Sequence, residues 1–189
     1  MAAALIELGD PPAAWERLGF APDAAGDVVL GEAQVRLTGR GGGILGIAAE
    51  GMTSARPDGL PLQPSTRGLA GGPKSGLHPN GASAVDHVVA FTGSLARTVA
   101  ALEAAGLDLR RSTETMAFFR LGPTILEVVE RGGEPPRLWG LVVVVPELEG
   151  LGPLVGAAKD AVQPGRRIAT VSPDAGLGAA LALMTPRRT

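Results

Sequence analysis

Apolar and polar positions alternate with a period of two in several short runs along the chain. "ALIEL" (4–8), "VVLGEAQVRLTG" (28–39), "VDHVVAF" (85–91), "FFRLGPTILEVV" (118–129), "LWGLVVVV" (138–145), "RRIATVS" (166–172) and "ALALMT" (180–185) all have the pattern of strands. Two of them share a plan of strand, Leu-Gly turn, strand. Gly31 and Gly122 sit at the turns, where glycine accepts a positive φ without steric cost.

A helical period precedes each of these hairpins. In the first, Asp10 is the expected N-cap, Pro11 fits the first helical position and Gly19 the stop. In the second, Ser94 caps the helix, Leu95, Val99 and Leu102 form its apolar stripe, and Gly106 ends it. Each helix follows a strand, so the chain repeats a unit of strand, helix and two or three strands. A looser third copy starts at Leu138. Its helix would be the glycine-broken "PELEGLGPLVGAA" (146–158).

The predicted fold is therefore α+β, with repeated β-α-β-β-β modules forming mixed, mainly antiparallel sheets. Residues 1–50 are one module and 81–189 a pair of modules (81–134 and 137–189). The 30 residues between them, 51–80, contain eleven Gly or Pro and are expected to be a linker. The pair should close into a cup, with the first module beside it or completed by a second copy in a homodimer.

Composition narrows the chemistry. The 189 residues are 45% hydrophobic, with 17 basic and 19 acidic side chains and no basic stripe, so nucleic acid is not an expected partner. With no cysteine and no tyrosine, thiol nucleophiles, disulfides and tyrosine acids are excluded. No run reaches the roughly 18 apolar residues of a membrane span, and the first residues lack a basic region before their apolar run. A soluble, cytoplasmic protein is the expectation. "GRGGGILG" (39–46) lacks the Lys-Ser/Thr of a phosphate loop, and no G-x-S-x-G occurs. "HPNG" (78–81) has turn chemistry. "QPGRR" (163–167) is either a solvated turn or a pair of guanidiniums facing an anion.

"HPNG" leading into "VDHVV", then "FFRLGPTILEVVE" and "AVQPGRRIATV", resemble the vicinal oxygen chelate superfamily, and bacterial glyoxalase-like proteins in particular. The resemblance covers most of residues 84–186. It implies a cupped sheet around a divalent metal (Zn, Ni, Fe or Mn) held by His87 and Glu127, with Glu127 as a proton-transferring base. It equally implies a metal-free cup for a small apolar or aromatic molecule, as in drug-sequestering members. Periodicity puts Glu127 on one face with Ile125 and Val129, and His87 with Val85, Val89 and Phe91.

Aligning the copies leaves two protein ligands where catalytic divalent sites usually have three. Glu127 falls against Arg36 and Leu183, and His87 against about Ala4 and Gly140. Three routes remain open: His78 reaching in, a homodimer doubling the His and Glu, or ligand binding without metal. The alternative for His87 and Glu127 is a structural pairing with each other, a carbonyl or an arginine, Arg120 or Arg111. Arg120 and Trp139 are further candidates for ligand contact, Trp139 being also a candidate for core packing.

Overall fold

A computed structural model of the protein describes residues 4–65 and 78–187. Helices are few: α1 (Pro12–Glu16) and α2 (Leu95–Ala104). The N-terminal strands are β1 (Ala4–Leu8), β2 (Asp27–Leu30), β3 (Ala33–Leu37), β4 (Ile44–Ala49) and β5 (Leu62–Pro64). They form a five-stranded sheet in the order β2-β3-β1-β4-β5. The remaining strands are β6 (Ala84–Thr92), β7 (Asp108–Ser112), β8 (Met116–Leu121), β9 (Thr124–Glu130), β10 (Arg137–Val144), β11 (Lys159–Asp160), β12 (Arg167–Thr170) and β13 (Ala180–Met184). They form an eight-stranded sheet in the order β11-β12-β13-β10-β6-β9-β8-β7.

Each half of the large sheet is one module. β6 runs parallel to β9, which continues antiparallel through β8 to β7; β10 runs parallel to β13, then antiparallel through β12 to β11. The halves join antiparallel along β6 and β10. α2 has its expected cap, with the Ser94 hydroxyl accepting from the Arg97 N–H, and Gly106 past its end has φ +86°. Leu95 and Leu102 are buried, and Val99 packs against the core.

The register reveals an approximate two-fold between the modules. His87 faces Val142 across the seam and Val89 faces Gly140, so exchanging His87 with Gly140 and Val89 with Val142 maps the pairing onto itself. Each strand carries one extra, bulged residue at the matching place: Asp86 on β6 and Trp139 on β10. The small sheet repeats the same plan in shorter form. β2, β3, β1, β4 and β5 pair as β8, β9, β6, β10 and β13 do, and Leu45, bulged between Ile44 and Gly46, is the counterpart of Trp139. Thus β4 and β5 belong to a second, abbreviated module. β5 and a 3-10 turn (Pro57–Gly59) lie within the stretch expected to be a linker.

Three local expectations are corrected. Asp10 does not cap α1, whose N-cap is Pro11; its buried carboxylate instead accepts from Trp15 Nε1 (3.0 Å) and from the Gly178 N–H (2.6 Å), tying the two sheets together. Residues 146–158 form turns, with Val155 bridging to Val171, and no helix; two prolines and three glycines break the ladder of backbone bonds. Val85 joins the core with Val88 and Ala90. The bulge at Asp86 reverses the alternation there, so Val85 no longer shares a face with His87.

The core lies behind the large sheet, where Leu126, Val128, Phe119, Leu141, Val143, Leu181 and Leu183 are buried. α2 packs on β7, β8 and β9. The opposite, front face of the sheet is more open and holds the site.

Candidate functional site

β9 brings Glu127 to the front face between Val89 on β6 and Phe118 on β8, its neighbours in register. Ile125, Glu127 and Val129 are all half-buried while Leu126 and Val128 are fully buried, as the period of two requires. His87 lies one diagonal step away, with its Nε2 3.5 Å from Glu127 Oε2. Sequence reasoning brought these two together, and the structure does so as well.

It missed the rest of the cluster. Asp86 and His87 are neighbours in sequence and would point to opposite faces of a regular strand. The bulge lets Asp86 turn toward its neighbour, and its Oδ2 lies 2.8 Å from His87 Nδ1. Asp86 Oδ1 accepts from Arg166 Nη1 at 2.7 Å. Arg166 belongs to "QPGRR", which does form a turn, closed by the Arg166 N–H on the Gln163 carbonyl. Its side chain is nevertheless only 3% exposed. It also donates from Nε to the Thr185 carbonyl (2.7 Å) and from Nη1 to Gln163 Oε1. A guanidinium is buried only when paired and hydrogen-bonded, and Asp86 supplies the charge. The signal was present in "VDHVV" as an acid beside the histidine, but no periodicity places Arg166 eighty residues away.

Burial alone would raise the Asp86 pKa, yet the hydrogen bonds from His87 and Arg166 outweigh it and hold the carboxyl below its ordinary range. Asp86 is therefore a carboxylate, an acceptor only. The proton between it and His87 belongs to Nδ1; in the neutral form of the ring this leaves the Nε2 lone pair facing Glu127.

The other candidates lie apart. Arg120 is exposed on β8 opposite Ile125. The group facing Glu127 Oε2 is the His87 ring, not Arg120. Trp139 is 42% exposed, with its ring 4.9 Å from Phe91. Phe91 also carries the guanidinium of Arg131 at 4.1 Å and that of Arg137 at 5.0 Å. His78 does not reach the cup. It is buried, its Nδ1 accepts from the Ala21 N–H (3.1 Å), and its Nε2 donates to the Val29 carbonyl (2.9 Å).

The register also settles which residues correspond. Glu127 pairs with Val89, so its counterparts pair with Val142, Glu7 and Ala48; they are Ala182, Arg36 and Gln63. Leu183, one position on, is buried behind the sheet, which corrects the alignment made from the turns. The counterparts of His87 are Gly140, Leu5 and Gly46, with Leu5 replacing Ala4. One module of four carries the histidine and the carboxylate.

This donor set does not fit a catalytic divalent metal. His87 Nε2 and Glu127 are two donors, Gly140 and Ala182 add none, and both oxygens of Asp86 are engaged. Among the described residues no group of three or more His, Asp or Glu is arranged to hold a metal ion.

Two strand modules joined antiparallel along β6 and β10 make a mixed sheet of the kind the resemblance to glyoxalase-like proteins implied. The chain is similar in structure to methylmalonyl-CoA epimerases. That of Mycobacterium tuberculosis is 14% identical over 58% of this chain and 91% of its own, with a TM-score of 0.48. A variant of the Streptomyces coelicolor epimerase in complex with 2-nitronate-propionyl-CoA is 15% identical, covering 55% and 97%, with a TM-score of 0.46. A hypothetical protein of Bacillus halodurans is 13% identical, covering 56% and 95%, with a TM-score of 0.45. No family model and no curated protein matches the sequence.

Proposed function

We propose that the chain binds a small apolar or aromatic molecule on the front face of the large sheet. The ligand is oriented by His87 and Glu127 without a metal. The observation that carries this reading is the single His87–Glu127 contact, braced by Asp86 and the buried Arg166, on a sheet whose equivalent positions are Gly140 and Ala182. Small residues at those two places leave room above the sheet, where the first module has its polar groups. Val89, Phe91, Phe118 and Trp139 supply apolar wall.

A fluorescence screen of aromatic compounds tests it. Trp139 is exposed near this face and Trp15 is buried in the N-terminal half, so the wild-type response should disappear in Trp139→Phe. His87→Ala and Glu127→Ala should each weaken binding of a hit by tenfold or more, read by calorimetry. Hits that both variants bind as tightly as the wild type would overturn the proposal. A hit requiring added metal would favour the enzyme reading, a lyase, isomerase or dioxygenase with Glu127 as base.

A further inference from the structure

The two histidines of the chain are held in opposite tautomers. His78 accepts at Nδ1 from a backbone N–H, a group that can only donate, so its proton is on Nε2 and points at the Val29 carbonyl. His87 faces a carboxylate at Nδ1, so its proton is there. The consequence at the site is a mismatch. With the ring in its neutral form, His87 Nε2 and ionised Glu127 Oε2 are both acceptors, 3.5 Å apart, with no proton between them. One donor within reach of both atoms satisfies the two acceptors together.

We propose that the ligand of this site is a proton donor, an aromatic or apolar molecule bearing a hydroxyl group, with its O–H shared between His87 Nε2 and Glu127 Oε2. Asp86 and Arg166 are positioning residues: Asp86 fixes the tautomer that exposes the lone pair, and Arg166 fixes Asp86. The hydrocarbon body lies over Val89 and Phe118, which flank Glu127 in register. This inference rests on the metal-free reading of the cup and adds the class of molecule it takes.

The test has two parts, both on the full chain. The first is ¹⁵N–¹H correlation of the imidazole rings near pH 8, with His78→Gln and His87→Gln assigning the signals. The expected result is Nδ1–H for His87 and Nε2–H for His78. In Asp86→Asn the amide can donate to Nδ1, so His87 should switch to Nε2–H while His78 stays unchanged. A purely structural aspartate would not move that proton.

The second is calorimetry with 2-naphthol and its methyl ether, 2-methoxynaphthalene. The naphthol should bind at least tenfold more tightly, and Asp86→Asn should abolish the preference. Equal binding of the two would overturn hydroxyl recognition and leave the binding cup standing. Binding of neither would also overturn it, and the compound screen would then decide separately whether the cup binds anything. An Nε2–H tautomer for wild-type His87 would overturn the proposal without any ligand.

Discussion

Asp86 and His87 occupy consecutive positions on one strand, yet their side chains meet, Oδ2 to Nδ1, at 2.8 Å. The bulge opposite Val142 and Val143 makes this geometry. It converts an alternating strand into a place where an acid and an imidazole share a face, and bulges recur beside functional sites for this reason.

The buried end of the relay is the part most sensitive to substitution. Arg166→Ala leaves Asp86 Oδ1 and the Thr185 carbonyl without the guanidinium that donates to both, with only His87 still on Asp86. The expected loss is about 3 kcal/mol, in the range for breaking a buried pair. Arg166→Lys should recover less than half, because one ammonium cannot match a guanidinium that serves Thr185, Asp86 and Gln163 at once. Denaturant melts of the three proteins check this; equal midpoints would show that Arg166 braces nothing.

The two halves meet at a glycine with no room for a side chain. A Cβ on Gly178 would lie 2.4 Å from the Gly42 carbonyl oxygen, and within the N-terminal half one on Gly9 would lie 1.9 Å from that of Gly41, both backbone atoms that cannot swing aside. Gly178→Ala should cost at least about 1–3 kcal/mol, as overpacking does, and it disturbs the Asp10 bond to the same residue. Gly39→Ala meets nothing within 4 Å but has φ +66°, so backbone strain of about 1 kcal/mol is its expected cost. Thermal melts should rank Gly178→Ala as the more damaging change.

Asp58 ties the 3-10 turn of the first half to α2. It accepts from Arg97 Nε (2.7 Å) and from the Thr98 hydroxyl, which itself contacts Thr92. Burial would raise its pKa, but the bonds from Arg97 and Thr98 outweigh this and lower it. A carboxyl lowered by folding stabilises the fold fully above the ordinary aspartate value, about 3.9, and loses that contribution as pH falls through its lower folded value. The stability gap between wild type and Asp58→Asn should therefore be constant near neutrality and shrink below about pH 4. A gap independent of pH down to acid unfolding would count against the tie.

Much of the fold was legible because it follows local rules. The Leu-Gly turns, the Ser94 cap and the period-two runs each depend on residues a few positions apart. Gly31 and Gly122 do adopt positive φ, at 64° and 58°. The pairing of β1 with β4, and of β4 with β5, was not legible, since a three-residue strand in a Gly/Pro-rich stretch has no period of its own. At the site, His87 and Glu127 stood out as polar residues in apolar strands. Arg166 did not, because "QPGRR" has the composition of a solvated turn and its burial depends on Asp86, a long-range partner. The Leu183 alignment failed by one residue because β12 and β13 are joined by a longer connection with a 3-10 turn (Pro173–Ala175), where β8 and β9 have a two-residue turn, so equal spacing from the turn does not fix the register.

The most direct measurement is the metal content of untagged protein, before and after exposure to Zn, Ni, Fe and Mn, with His87→Ala and Glu127→Ala alongside. Two donors on one module should retain no stoichiometric metal through dialysis. About one equivalent per chain, lost in both variants, would contradict the metal-free cup and require further ligands, the first place to look being the His87 and Glu127 of a second copy.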